Sequence, residues 1–219
     1  MLVKESEWLF ENISQLNTDE NHIFPLGNIG SSDEKQLQIQ PWVYHKLMNP
    51  LKELGKVFNV DIKQSKDVDF CGDLLDPKFI EELKKSGIQS ILCANILTNI
   101  QSKETFANSI IDVIPENGFI FVSVSNRFPY VADPVDTLFR PDLKELKELF
   151  PNTKIIKESI IEGPTYFQFL IDHKTVLAIT LVRLLTPFYK FKNWKNLVKY
   201  VPNLFKPFRT SCLILQKCR

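Results

Sequence analysis

Short apolar runs typical of strands alternate with amphipathic segments typical of helices, and this alternation constrains the fold more than any other feature. The strand patterns include KVFNVDIK, IQSILCAN, NGFIFVSVS, TKIIKESII and, at the end of the chain, TSCLILQK. Apolar residues recur at helical spacing in an N-terminal extension over 1–20 and in the ranges 41–54, 77–86, 103–113 and 142–150. The pattern predicts one α/β domain over 1–219, with a mainly parallel sheet covered by helices on both faces.

Composition narrows the class of protein. The chain has 219 residues, of which 44% are hydrophobic and 24% charged, with a formal net charge of +1. No apolar run approaches the ~20 residues of a spanning helix, and the N-terminal segment lacks the apolar core of a secretory signal. The four cysteines are scattered, with neither metal-site spacing nor a disulfide pattern. These features predict a cytoplasmic protein without a bound metal.

Polar residues stand at the predicted ends of the first four strands. Because the carboxyl ends of parallel strands meet at one edge of a sheet, these residues form one candidate ligand site. A glycine turn after the first strand lets backbone N–H groups approach a ligand, and a strand-end carboxylate suits a ribose diol or an adenine amine. For each residue alone, a turn or cap role is the alternative. The strand-end residues are Asn28, Gly30, Ser31, Asp61, Asp73 and Asn95.

A series of motifs runs from about Ile23 to Phe150, in the order NIGSS, VFNVDIK, VDFCGDLLD, ILCANILTNI, PENGFIFVSVS, FPYVADPVDTLFRP and LKELF. As a series, these motifs resemble the class I S-adenosylmethionine-dependent methyltransferases. The resemblance implies a Rossmann-like, seven-stranded, mostly parallel sheet of order 3214576 whose last strand is antiparallel. It also implies S-adenosylmethionine as the cofactor and a small-molecule methyl acceptor, for which a sugar- or lipid-linked metabolite is one expectation.

By this resemblance, the cofactor-binding residues follow the cofactor from its methionine end to its adenine. They are Asn28, Gly30 and Ser31 at the methionine, Asn95 near the sulfonium, Asp61 at the ribose hydroxyls, and Ile62, Asp73 and Leu74 around the adenine. We expect Gly30→Val to abolish cofactor binding and to leave the fold largely intact, because the added side chain would fall in an open cleft.

Two segments depart from the family pattern. Where relatives usually carry a Glu-His pair, this chain has Thr98 and Asn99, and Val131 replaces a histidine in the later loop. The catalytic residue is therefore left unassigned. A methyltransferase-fold binding protein without catalysis is one alternative. A nicotinamide-dependent Rossmann oxidoreductase is another, although no G-x-G-x-x-G follows the first strand.

The FPYVADPVDTLFRP loop is the candidate acceptor site, since it follows the fifth strand and concentrates polar residues between prolines. Its candidate substrate-binding residues are Tyr130, Asp133, Asp136 and Arg140. In the alternative interpretation, Arg140 pairs with one of the two aspartates and only holds the loop in place.

Charge is unevenly distributed along the chain. The range 174–219 contains ten basic residues and no acidic one, so the remaining 173 residues carry 17 basic and 26 acidic side chains, a balance of 17 − 26 = −9. Aromatic residues are interspersed with lysines in the section from about 174 to 209, which is predicted to be a helical insertion before the last strand. A lid or dimer face, a membrane surface and a nucleic-acid surface are the three interpretations.

Overall fold

The computed structural model describes residues 1–30, 39–130, 135–188 and 191–218. Its strands are β1 (Leu26–Ile29), β2 (Val57–Asp61), β3 (Phe70–Cys71), β4 (Ser90–Ala94), β5 (Phe119–Arg127), β6 (Thr153–Thr165) and β7 (Pro207–Lys217). They form one seven-stranded sheet of order β3-β2-β1-β4-β5-β7-β6. Strands β1 to β5 pair in parallel, and β7 runs antiparallel between β5 and β6. The predicted Rossmann-like sheet and its strand order are confirmed.

Helices cover both faces of this sheet. They are α1 (Val3–Leu16), α2 (Pro41–Val43, continued by a π-helical stretch Tyr44–Met48 and by Asn49–Leu54), α3 (Pro77–Lys85), α4 (Lys103–Val113), α5 (Leu143–Glu148), α6 (Tyr166–Asp172), α7 (Lys174–Leu185) and α8 (Phe191–Tyr200). Short 3₁₀ turns occupy Leu97–Asn99 and Val201–Asn203. The π-helical stretch ends just before Pro50, which cannot donate a backbone hydrogen bond to the preceding turn.

Local sequence explains where the helices begin. The Asp76 side chain accepts a hydrogen bond from the Lys78 backbone N–H at 3.0 Å, and Pro77 occupies the first helical position of α3. Asp142 and Glu145 form a reciprocal capping box at the start of α5. These contacts satisfy backbone donors that a helix leaves unpaired at its N-terminus.

Side chains of the central strands alternate between two cores. Ile120 and Val122 of β5 point to a cluster that includes α3 and α4, whereas Phe119 and Phe121 pack with Leu92 in a cluster that includes α1 and α2. A sheet buried on both faces needs apolar side chains in both directions, which is why these strands read as continuous apolar runs. No helix within the described ranges is long and apolar enough to cross a membrane.

Two predicted boundaries differ from the structure. Strand β3 ends at Cys71, so Asp73 lies in the turn after the strand and not at its end. The segment between β6 and β7 spans 166–206, because α6 follows β6 directly and β7 already begins at Pro207. The pairing of Pro207 with Thr165 extends the sheet into the range that the sequence assigned to the basic section.

Candidate functional site

A cleft of about 710 Å³ opens at the carboxyl ends of β1, β2 and β4. This is where chain order reverses across the sheet, since β1 pairs with β2 on one side and with β4 on the other. Six residues predicted for the cofactor line it: Gly30, Asp61, Ile62, Asp73, Leu74 and Asn95. The seventh, Asn28, lines an adjoining space of about 240 Å³, and the eighth, Ser31, lies outside the described residues.

Gly30 takes a backbone conformation that disfavours any other residue. Its φ is +72°, and its N–H donates to the Val60 carbonyl at 2.8 Å, which ties the turn to β2. A Cβ at this position would stand 2.1 Å from Cδ1 of Ile96, another residue of the cleft wall. The expected obstruction in an open cleft is therefore wrong in its geometry, because the added side chain would first meet the protein itself.

The two aspartates of the cleft are placed by their own loops. Asp61 is half-buried, and its Oδ1 accepts from the Lys63 backbone N–H at 2.8 Å. Asp73 is exposed, and its Oδ1 accepts from the Leu75 backbone N–H at 2.9 Å. The turn interaction that each aspartate was expected to make as an alternative is thus present, and it fixes the carboxylates at the edge of the cleft.

Apolar side chains also line the cleft. Ile62 is 64% exposed at the cleft, whereas Leu74 is buried beneath it. The exposed isoleucine provides an apolar surface on which a flat ring can pack, in a cleft wall that also holds the carboxylates of Asp61 and Asp73.

A buried carboxylate from the N-terminal helix links the residue that follows β4 to residues within β5 and β7. Glu5 is 0% exposed. Its Oε1 accepts from Nδ2 of Asn95 and from the hydroxyl of Ser123, both at 2.7 Å. Its Oε2 accepts from the Leu2 backbone N–H at 2.9 Å and from the Thr210 hydroxyl at 3.3 Å. A charge buried this deeply is tolerated when both of its oxygens are hydrogen-bonded.

This network fixes the cleft residue Asn95. Its Oδ1 accepts from the Ser125 hydroxyl at 3.1 Å, so both ends of the amide are bonded, and its φ is +59°. Sequence reasoning missed Glu5, although a signal was present. Glu5, Leu9 and Ile13 recur at intervals of four, which places an acidic residue on the buried stripe of α1.

Asn28 serves the loop after β2. Its Nδ2 donates to Oδ1 of Asn59 at 3.0 Å in a buried contact, and Nδ2 of Asn59 donates to the Asp67 carbonyl at 2.8 Å. Asn28 therefore positions the loop that follows Asp61. It lines the smaller space and does not line the larger cleft.

The candidate acceptor loop is pinned by an ion pair. Asp136 and Arg140 approach to 2.8 Å, with side chains only 3% and 16% exposed. Arg140 also donates to the Phe128 and Pro129 carbonyls, and Thr137 donates to the Thr98 carbonyl from its backbone N–H and its hydroxyl, both at 2.9 Å.

Val135 carries this loop to the cleft wall. Among the described residues, Tyr130, Asp136 and Arg140 do not line the cleft, and Asp133 and Val131 fall outside the ranges that the structure describes. The acceptor-binding role of Tyr130, Asp133, Asp136 and Arg140 stays a prediction.

The described part of the cleft wall contains no histidine or cysteine. Asn99, from the departure segment, lines it, while the neighbouring Thr98 donates to the Asn95 carbonyl at 3.2 Å. Burial raises the pKa of Cys93 to about 12 and that of Cys212 well above its ordinary value, so neither thiol is a ready nucleophile. Within the ranges described, no group of side chains has the composition of a metal site.

Comparison with known proteins shows the fold. No family model and no curated protein matches the chain. Among solved structures, a coclaurine N-methyltransferase bound to N-methylheliamine and SAH has a TM-score of 0.51 at 12% identity, covering 97% of this chain and 70% of its own. A SAM-dependent methyltransferase from Anabaena variabilis has a TM-score of 0.50 at 8% identity, covering 97% and 86%.

The cyclase SpnF is also similar, with a TM-score of 0.56 at 14% identity, covering 97% of this chain and 81% of its own. The sheet and its helices therefore form a methyltransferase fold. Because a cyclase shares that fold, the reaction has to be argued from the site.

Proposed function

We propose that this protein binds S-adenosylmethionine in the cleft and transfers its methyl group to a small-molecule acceptor. One observation carries the proposal: Gly30, Asp61, Asp73 and Asn95, from four separate strand connections, line a single cleft at the switch point of a methyltransferase fold. Its volume of about 710 Å³ also lies in the range of roughly 300–1,000 Å³ that is usual for small-molecule sites.

The residues of the cleft fit the parts of this cofactor. The Asp61 carboxylate would accept hydrogen bonds from the ribose diol, and Ile62 offers an apolar surface to the adenine. Asp73 would accept from the adenine amine, with Leu74 buried below. The turn at Gly30 would bring the backbone close to the methionine part. When bound, the sulfonium cofactor supplies an electrophilic methyl group.

The described residues of the cleft can orient the reactants, whereas none of them is a histidine that could accept a proton. Glu5 and Ser125 hold the Asn95 amide in one orientation, and the Thr98–Thr137 contacts hold the acceptor loop against the cleft. Alignment of an acceptor can supply much of a rate enhancement. With no histidine in the described wall, the acceptor that suits this site is one already nucleophilic, such as an amine or a phenolate. Tyr130, Asp133, Asp136 and Arg140 remain the candidates for binding it.

A cofactor-binding protein without methyl transfer is the second candidate. The observation that favours it is the segment in which Thr98 and Asn99 stand where the resembling family usually carries a Glu-His pair, since Asn99 lines the cleft. The two candidates share the cofactor and differ only in turnover, so binding and transfer have to be measured separately.

The binding test compares two aspartates whose carboxylates each accept a hydrogen bond from a backbone N–H. Asp61→Asn should weaken S-adenosylhomocysteine binding by about 1–3 kcal/mol, because charge-assisted hydrogen bonds to the ribose are lost. Asp69→Asn is the matched control, since the Asp69 carboxylate accepts from the Asn59 backbone N–H at 2.8 Å but does not line the cleft. Titration calorimetry that finds equal affinities for both variants and the parent protein would remove Asp61 from the site.

The same calorimetry with NAD tests the oxidoreductase alternative, which tight NAD binding in the absence of S-adenosylhomocysteine binding would support. Transfer is then tested with methyl-labelled S-adenosylmethionine and mixtures of small amines, phenols and sugar- or lipid-linked metabolites. Label in an acceptor supports the enzyme. Cofactor binding without any transfer supports the binding protein.

A further inference from the structure

The segment 166–206 is anchored to the protein through its inner side. Tyr166, Leu170 and Phe208 form a buried cluster, against which Val176 and Leu177 of α7 and Tyr200 of α8 pack. The Trp194 indole donates to the Leu184 carbonyl at 3.1 Å and so joins α8 to α7. The two helices therefore form a hairpin whose inner face is already covered.

The outer side of α7 is apolar as well. Ile179, Leu181, Val182 and Leu185 are between 46% and 83% exposed, while Thr180 on the opposite side is buried. Ala178, Leu181, Val182 and Leu185 follow helical spacing and occupy one exposed stripe of the helix, and the exposed Ile179 lies beside it. A surface helix of a globular protein normally turns polar side chains to water, and a contiguous exposed apolar patch marks a binding surface.

The tip of the hairpin is more exposed still. Leu185, Phe188 and Phe191 are 83%, 98% and 60% exposed. They lie where the chain passes from α7 to α8, so three large apolar side chains project from one end of the hairpin.

The exposed side of α8 carries lysines. Lys192, Lys195 and Lys199 recur at intervals of three and four and are exposed on α8. No salt bridge within the described residues involves any of the three. The whole range 174–219 has ten basic residues and no acidic one. The partner of this surface therefore has to be anionic as well as apolar.

We propose that this hairpin face, defined as Ile179, Leu181, Val182, Leu185, Phe188, Phe191, Lys192, Lys195 and Lys199, rests on an anionic lipid bilayer. Its apolar side chains enter the headgroup region, and its lysines contact the lipid phosphates. A second copy of the chain would bring like charges together. A nucleic acid would leave the exposed leucines and valine without apolar contact, since it is bound through phosphates and ring stacking.

The place of the hairpin in the fold gives this surface a consequence. Helix α6 begins directly after β6, and β6 runs parallel to β5 through their shared neighbour β7. The hairpin therefore grows from the same edge of the sheet as the cleft. Bilayer contact would set that edge toward the membrane, although the inference does not depend on what the cleft binds.

Co-sedimentation of the full chain with lipid vesicles tests the inference. Vesicles of phosphatidylcholine with phosphatidylserine should pellet more protein than vesicles of phosphatidylcholine alone, and added salt should reduce the difference. Lys195→Glu with Lys199→Glu should lower the partition coefficient on the order of tenfold or more. The double change of Lys154 and Lys157 to Glu, on exposed positions of β6, is the matched control.

The contribution of the apolar side chains to lipid binding is tested at Phe188, at the tip of the hairpin. Phe188→Ser should reduce partitioning several-fold, whereas Ile160→Ser, at a 43% exposed position of β6, should leave it unchanged. Equal binding to both kinds of vesicle, or equal losses in the hairpin and control variants, would overturn the proposal. So would concentration-dependent dimerisation through the hairpin without vesicles, or tighter binding to a single-stranded oligonucleotide than to anionic vesicles at the same salt concentration.

Discussion

The cleft and the hairpin face lie at the same edge of the sheet, yet their side chains are satisfied in opposite ways. Around the cleft, polar groups are bonded to one another, as in the contacts of Glu5 and Asn95. On the hairpin, Phe188 and Leu185 are almost fully exposed, and the lysines of α8 have no salt bridge among the described residues. Within one fold, the polar groups of the cleft are positioned by hydrogen bonds inside the protein, whereas the apolar side chains of the hairpin face are left exposed.

The largest effect is expected where the hairpin joins the sheet. Phe208→Ala should lower the free energy of unfolding by about 3–5 kcal/mol, because it removes a ring from the centre of the buried anchoring cluster. Phe188→Ala, at the exposed tip, should stay within about 0.5 kcal/mol of the parent protein. Chemical denaturation measures both. Similar losses in the two variants would mean that the tip is packed in solution.

The buried network should come next. Glu5→Ala should cost roughly 2–4 kcal/mol of unfolding free energy, because the donors on Asn95, Ser123 and Thr210 lose their acceptor inside the protein. Glu7→Ala, which removes a carboxylate that pairs with Lys46 at the surface of the same helix, should cost about 0–1 kcal/mol. A loss of the same size from both would contradict a network role for Glu5.

A smaller effect is expected at the glycine turn. Gly30→Ala should cost about 1–3 kcal/mol through its φ of +72° and its contact with Ile96, and should weaken S-adenosylhomocysteine binding. Adding Ile96→Ala separates the two causes, since it removes the contact but not the backbone strain. Partial recovery of stability in the double variant is expected. No recovery at all would assign the whole loss to the backbone.

The smallest effect concerns alkaline pH. Burial raises the pKa of Cys93 from 9.0 to about 12 and that of Tyr200 from 10.0 to about 12. Both groups ionise more readily when unfolded, so their contribution to stability is complete below about pH 9 and is lost as pH rises toward 12. The unfolding free energy should fall less steeply between pH 8.5 and 10.5 in Cys93→Ala than in the parent protein. The difference in slope should correspond to the loss of at most about one proton per molecule on unfolding.

Cys218→Ala is the control for that experiment, because Cys218 is exposed. An identical pH slope in Cys93→Ala and Cys218→Ala would show that the buried thiol does not set the alkaline loss.

Local pattern predicted most of the sheet, because a strand buried on both faces needs an uninterrupted apolar run. IQSILCAN and NGFIFVSVS are such runs; β4 lies within the first, and β5 begins in the second and extends two residues beyond it to Arg127. Parallel order then places strand ends at one edge, which is why Asp61 and Asn95 were predicted to share a site and both line the cleft. The residues of a turn indicate the end of a strand less clearly. The sequence therefore predicts β3 as far as Asp73, although the strand ends at Cys71.

Two features were decided only by tertiary structure. Glu5 meets partners 90, 118 and 205 residues away, and no local pattern reports contacts over such separations. In the stretch VLAITLVRLLTPF, apolar residues lie on nearly every side of the helix, so the sequence does not predict which side packs against the protein. Packing against Tyr166 and Phe208 covers the side with Leu177 and leaves Leu181 and Leu185 in water. The sequence thus determined that this helix is apolar, and only the packing of the whole chain decided which of its faces is buried and which is exposed to water.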